Sequence, residues 1–198
     1  MTTYGVARWL IYRISRLLWR AQAFGTSNVP MIGPVIIAAN HRSNLDPPIL
    51  GTYCPRDIAY MAKSELFAIP VLGPMIRSFG AYPVDRHGSA GASIKRSVEV
   101  LRAGGCIGIF PEGGRNLDGE RRAHEGVALL ASLAKAPVVP AALVGTSESR
   151  RFVQMKVAFG EPMRLPEGRK ATRDDLAKFT QEIMSAVAAL SESIGGNT

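Results

Sequence analysis

The sequence predicts an α/β fold, a single domain with a mixed, mostly parallel central sheet flanked by helices and led by an amphipathic helix. Three observations carry this reading. Short apolar runs alternate with longer segments of helical periodicity, without an internal repeat, as in crossover-connected strands. The run Val35-Ile36-Ile37-Ala38-Ala39 has no polar face, so both its faces must be covered. Three apolar runs stop at polar clusters, and the carboxyl ends of sheet strands are where α/β proteins bind ligands. A chain of 198 residues suffices for one domain with a substantial core, and 46% hydrophobic against 20% charged residues argues against disorder.

The elements follow in order. Residues 4 to about 21 read as a helix. Ala7, Leu10, Ile11, Ile14, Leu17, Leu18 and Ala21 fall on one stripe, Arg13, Arg16 and Arg20 on another, with Trp9, Tyr12 and Trp19 on the flanks. The stripe either covers the domain's own core or lies in a membrane surface. The expected division is 1–24, a membrane-associating amphipathic helix, and 25–198, the α/β domain. Gly25 to Pro34 is a turn-rich connection, 34–39 a strand, and Pro47 opens a short helix as its first residue. Residues 58–62 (IAYMA) are a second strand. FAIPVLGPMI, 67–76, is broken by Pro70, Gly73 and Pro74 and reads as a loose helix pair or an apolar surface loop, serving as core or as an acyl-chain or membrane contact. Residues 79–84 form a third strand ending in Asp85-Arg86.

A helix over 90–103 turns Ile94, Val98 and Leu101 inward, and GCIGIF, 105–110, is a strand running into PEGGRN. Glu125 to Ala136 is a helix. VVPAALVG, 138–145, is a strand whose Pro140 requires a bulge or an edge position. Residues 153–160 alternate as a further strand. Thr172 with Asp175 three residues on forms a capping box for the last helix, whose stripe is Leu176, Phe179, Ile183, Val187, Leu190 and Ile194, with Gly195 ending it.

The net charge of +8 points to an anionic partner. Basic and aromatic residues do not interleave as single-strand nucleic-acid binding requires, so the expected partner is an anionic membrane surface and not nucleic acid. Two cysteines, Cys54 and Cys106, are too few for a disulfide framework and read as buried thiols of a reducing compartment. No Cys/His spacing fits zinc, and no metal is expected. Arginines interrupt the early apolar stretch, which argues against a cleavable signal peptide. The charge-free run from Ala21 to His41 is broken by Gly25, Pro30, Gly33 and Pro34, so no spanning helix of about 20 residues is expected. The expected location is peripheral, at the cytoplasmic face of the cell membrane.

The polar clusters NHRSNLD (40–46), DR (85–86) and PEGGRN (111–116) each follow a strand, and their recurrence points to one composite site. Histidine is the side chain suited to take a proton near neutral pH, and Asp46 is close enough in sequence to orient His41. No G-x-S-x-G elbow is present, and Ser43 sits inside the His-Asp turn instead of opposite it. A dyad without a protein nucleophile requires the substrate to supply the attacking hydroxyl. Arg86 and Arg115 carry the planar fork that binds phosphate, and Lys63 is a third cation. Gly113 and Gly114 allow close backbone approach to an anion. The alternative to these roles is that Glu112 and Arg115 pair with each other and that Asp85 only fixes the turn; His87 and His124 read as solvated loop residues.

These blocks resemble a known family. NHRSNLD is similar to the N-H-x-x-x-x-D motif of the glycerolipid acyltransferases. GAYPVDR (80–86) resembles their second block, FPEGGRN (110–116) their F-P-E-G-T-R-S block, and VVPAAL (138–143) their fourth. All four occur in order, over about residues 38 to 145. In size and pattern the chain most resembles the bacterial 1-acyl-sn-glycerol-3-phosphate acyltransferases. The resemblance implies that His41 deprotonates the free hydroxyl of a lysophospholipid acceptor, lysophosphatidic acid, while Asp46 holds the imidazole. It implies an acyl-thioester donor, acyl-CoA or acyl-carrier protein, as co-substrate, with no further cofactor. It also implies that Arg86, Glu112, Gly113 and Arg115 bind the glycerol phosphate, with Gly114 contributing backbone. Gly114 and Asn116 depart from the family's threonine and serine, which removes a hydroxyl from the phosphate site and loosens the choice of acceptor. Glycerol 3-phosphate or another lysophospholipid is the alternative acceptor. A non-enzymatic membrane binder has no use for an ordered His-Asp pair, and an esterase lacks its nucleophile.

Overall fold

In the computed structural model, the structure describes residues 3–70, 72–78, 80–84, 90–116, 123–147, 153–166 and 169–196. The chain runs α1 (Thr3–Trp19), β1 (Gln22–Phe24), β2 (Val35–Ala39), α2 (Asp46–Tyr53), β3 (Ile58–Lys63), α3 (Leu72–Ser78), β4 (Ala81–Val84), α4 (Ala90–Arg102), β5 (Cys106–Ile109), α5 (Gly126–Ala134), β6 (Val138–Val144), β7 (Lys156–Phe159) and α6 (Arg173–Ser193). The seven strands form one sheet in the order β1-β7-β6-β2-β5-β3-β4. Every pairing is parallel except β6 with β7. This is the mixed, mostly parallel sheet that the sequence predicts.

The continuous apolar run at 35–39 has its physical reason here. All five residues are buried. Alternate side chains of a strand point to opposite faces, so Val35, Ile37 and Ala39 pack toward α1 and α2 while Ile36 and Ala38 pack toward α4, α5 and α6. Burying each of the three valine and isoleucine side chains is worth about 1.5–3 kcal/mol. The α6 capping box forms as predicted. Thr172 Oγ1 accepts from Asp175 N–H at 3.2 Å, and Asp175 Oδ2 accepts from Thr172 N–H at 2.8 Å. Arg169, bidentate on the same carboxylate, holds Asp175 well below the usual carboxylate range. The segment at 67–76 resolves into a 3₁₀ turn, Ser64–Ala68, followed by α3, the helix-pair alternative. Cys54 and Cys106 are buried free thiols.

Three expectations need correction. Residues 22–24, grouped with the first helix, are strand β1 at the sheet edge, paired with β7. The helix ends at Trp19, Arg20 adopts φ 46°, and Ala21 is buried beyond it. The α1 stripe is also divided. The side facing the domain carries Tyr4, Ile11 and Ser15, because polar groups there find partners: Ser15 Oγ lies 2.9 Å from Tyr53 Oη, and Tyr4 Oη donates to Gly51 C=O at 3.4 Å. Val6, Leu10 and Leu17 stay exposed at 50%, 51% and 82%. Finally, Pro140 lies in an internal strand, between β2 and β7, and not at a sheet edge; the pairing on the β7 side is interrupted there and resumes one residue out of register at Val138 opposite Met163. Its side of the strand faces β7, where the ladder has ended at Phe159: Val138 N–H donates to Met163 C=O and Pro140 C=O accepts from Gly160 N–H, each at 2.8 Å. The missing N–H therefore breaks no ladder bond.

Candidate active site

β2 and β5 are parallel neighbours, so the segments leaving their carboxyl ends, 40–46 and 110–116, emerge side by side. The first residue after β2 is clamped. Asn40 Nδ2 donates to Leu143 C=O at 2.9 Å, and Leu143 N–H donates to Asn40 Oδ1 at 2.8 Å. The chain then turns and enters α2, whose first turn takes the Pro47-Pro48 pair after Asp46 without loss, since N–H groups there have no intrahelical partner.

Asp46 is the hub of this turn. Its Oδ2 accepts from Arg42 N–H and Ser43 N–H, each at 2.7 Å, and lies 2.9 Å from His41 Nδ1. The position at a helix start also favours its negative charge. A carboxylate only accepts, so the contact assigns the proton to Nδ1 and leaves Nε2 with its lone pair. The Asp46 side chain is 1% exposed and that of His41 16%. The imidazole stacks on Phe110 with centroids 4.3 Å apart, and Phe110 stacks on Tyr60 at 6.3 Å. Ser43 Oγ accepts Leu45 N–H within the turn.

The second segment holds the main chain of His41. Glu112 Oε2 accepts from His41 N–H at 2.8 Å, and Asn116 N–H donates to His41 C=O at 2.7 Å. Asn116 Nδ2 donates to Glu112 Oε1 at 2.9 Å, which closes the ring. Glu112 is 7% exposed, and both its oxygens serve protein groups. The carboxylate expected to meet substrate is thus turned inward onto the histidine, and the mutual pair with Arg115 does not form. Gly113 has φ 67°, a left-handed conformation that favours glycine, and the His124 ring lies close against it. His124 itself is exposed.

Arg115 is exposed, and among the described residues its guanidinium makes no hydrogen bond or ion pair. Gly114 beside it is half-buried. Lys63 closes β3 opposite Val84, the last residue of β4, at the same end of the sheet. Asp85, Arg86 and His87 lie outside the described residues. Three residues that shape the site escape the sequence reading: Asn40, Phe110 and Asn116. Each acts through a partner distant in the chain, and the only signal was the adjacency of Asn40 to His41 and the departure at 116.

The model of the acyltransferase family matches residues 20–144. The chain is 30% identical over 178 residues to the 1-acyl-sn-glycerol-3-phosphate acyltransferase of Bacillus subtilis, covering 87% of this chain and 89% of that one. It is 27% identical over 162 residues to the protein of the same name from Streptococcus pneumoniae, covering 79% of this chain and 60% of the relative. The crystal structure of the 1-acyl-sn-glycerophosphate acyltransferase PlsC from Thermotoga maritima shares the fold, with a TM-score of 0.72 at 24% identity over 94% of this chain and 79% of that one. On the family match and the Bacillus relative, the chain belongs to the acyltransferase family.

Proposed function

We propose that the protein moves a fatty acyl group from acyl-CoA or acyl-carrier protein to the free hydroxyl of 1-acyl-sn-glycerol 3-phosphate, giving phosphatidic acid for phospholipid biosynthesis. The observation that carries this reading is the His41–Asp46 pair, with Nδ1 committed to the carboxylate and Nε2 left to act as base. His41 takes the proton of the acceptor hydroxyl. The oxygen attacks the thioester carbonyl carbon, the carbon–sulfur bond breaks, and His41 returns the proton to the departing thiolate. Asp46 stabilises the imidazolium formed between these steps. Glu112 and Asn116 set the main chain that carries the base.

The acceptor phosphate is assigned to Arg115, with Lys63 and Arg86 as further cations and the backbone of Gly113 and Gly114 lining the approach. Support comes from the uncommitted guanidinium of Arg115 and from the acyl-glycerophosphate acyltransferase names of the relatives. Such an acceptor resides in a bilayer. No helix among the described residues is long and apolar enough to cross a membrane. Peripheral attachment at the cytoplasmic face is assigned to α1, whose exposed Val6, Leu10 and Leu17 suit burial among acyl chains while Arg13, Arg16 and Arg20 meet lipid phosphates.

The test is thiol release in a panel crossing lysophosphatidic acid, glycerol 3-phosphate and other lysophospholipids with both thioester donors. Release dependent on lysophosphatidic acid is expected. Release that needs no acceptor would make the protein a thioesterase and overturn the proposal.

A further inference from the structure

The His41 segment has two flanks. Toward β5 it meets residues 111–116 and the exposed Arg115. Toward β6 it borders a pocket of about 320 Å³, within the size range of small-molecule sites. Asn40 and Arg42, the neighbours of His41 on either side, line it. Its far walls are the end of β6 with Thr146 and Ser147, the start of β7 at Lys156, and the end of α6. Among the described residues the lining carries two cations, Arg42 and Lys156, with several hydroxyl groups and no carboxylate. The carbonyl end of α6 would repel an anion, but Lys156 Nζ donates to Ile194 C=O at 2.9 Å and offsets it. An ammonium has two further N–H groups to offer. The pocket also sits at the carboxyl ends of β2 and β6, beside the point where the chain's crossovers change direction, the usual place for ligands in such sheets.

From this we infer that the pocket takes the phosphate-bearing pantetheine arm of the acyl donor, the arm that acyl-CoA and acyl-carrier protein share. The inference rests on the acyl-transfer reading above. Donor and acceptor must be bound together, with the reacting atoms about 3–3.5 Å apart near His41. The acceptor phosphate is assigned to the Arg115 flank. The donor then approaches along the other flank, where the recess that Arg42 and Lys156 line adjoins the base.

The experiment measures KM for each substrate at saturating levels of the other, with three donors: palmitoyl-CoA, palmitoyl-carrier protein and palmitoyl N-acetylcysteamine thioester, which has no phosphate. Ser147→Glu places a negative charge in the pocket at an exposed position, and Lys156→Met removes a cation. Roughly tenfold higher KM for both phosphate-bearing donors is expected, the scale of one charge-assisted contact. The KM for lysophosphatidic acid and for the phosphate-free thioester should stay within about twofold, well inside that scale. Equal effects on all three donors, or a rise in the acceptor KM alone, would overturn the assignment. A rise confined to palmitoyl-CoA would place the nucleotide phosphates here and overturn the shared-arm assignment. Titration of free CoA into the full-length protein by calorimetry reads the pocket without turnover, and unchanged binding in Ser147→Glu also overturns it. Should Lys156→Met unfold by loosening the end of α6, Ser147→Glu decides. Wild-type protein that releases no thiol with any donor would instead sink the acyl-transfer reading.

Discussion

Asparagine at position 46 separates two things that aspartate does for His41. In the native site one oxygen, Oδ2, serves His41 Nδ1 and the N–H groups of Arg42 and Ser43, while Oδ1 is buried with no partner among the described residues. An asparagine therefore has one sensible orientation: its oxygen in the Oδ2 position, accepting all three bonds, and its NH₂ in the Oδ1 position. The imidazole stays oriented, but the negative charge that stabilises the imidazolium is gone. A hydrogen bond to a charged group contributes about 1.5–3 kcal/mol against about 0.5–1.5 for a neutral one. The difference of roughly 1–2 kcal/mol corresponds to a fall in kcat of about 5- to 30-fold. Asp46→Ala removes orientation as well and should approach the full loss of general-base catalysis, about 10²–10⁴. Both variants lose stability, since the asparagine buries an unpaired NH₂ at a cost of about 1–3 kcal/mol and the alanine leaves two main-chain N–H groups without their acceptor. Turnover is read by thiol release below the melting transition of each variant, followed by circular dichroism. An asparagine variant as impaired as His41→Ala would refute the reasoning, as would an alanine variant within tenfold of wild type.

Other outcomes follow from the same structure. Glu112→Ala removes the acceptor of His41 N–H and the Glu112 bond of Asn116 Nδ2, at about 1–3 kcal/mol for the buried His41 N–H, and should lower kcat with the acceptor KM nearly unchanged; a selective rise in acceptor KM would mean that the carboxylate contacts substrate. Arg115→Ala should raise the KM for a phosphorylated acceptor by about 10- to 100-fold without changing the melting temperature, because the side chain is exposed. Leu10→Glu with Leu17→Glu should weaken co-sedimentation with anionic vesicles yet leave thermal stability intact; unchanged sedimentation rejects the role of α1, and unfolding would mean that these side chains belong to the core. Burial pushes the Tyr4 phenol up to about 12, so its folded-state pKa exceeds its unfolded one. The stability this contributes is present below pH 10 and is lost as pH rises from 10 toward 12. Tyr4→Phe should flatten that alkaline slope in denaturant titrations.

What could be read from the sequence was what a single segment encodes. The run at 35–39 declares its burial because neither face is polar. The pairing of His41 with Asp46 is legible because five residues span one turn, and the capping box because three do. Features settled by distant segments were not legible. β1 is only three residues long, and nothing in Gln22-Ala23-Phe24 signals the β7 edge it joins. The stripe on α1 looked continuous because periodicity cannot tell which side meets α2, where Ser15 finds a hydroxyl while Leu17 stays exposed. Pro140 looked like an edge residue because the sequence does not show where β7 stops. The direction of the Glu112 carboxylate depends on the register of β2 against β5, which puts His41 N–H within its reach.

That register has a consequence for how the protein becomes active. β2 and β3 are consecutive in this part of the chain yet do not pair, because β5 lies between them. The residues that fix the main chain of His41 arrive on the segment that follows β5, 71 positions beyond the histidine in the case of Glu112. A nascent chain that has made β2, α2 and β3 thus already holds the histidine, its aspartate and the turn between them, but lacks the bonds from Glu112 and Asn116 to the main chain of His41. Long-range contacts of this kind form late, since the entropy of closing the intervening chain must be met first. The base becomes rigid only when the fifth strand has been threaded into the middle of the sheet, so catalytic competence reports completion of the fold and not the presence of its catalytic residues.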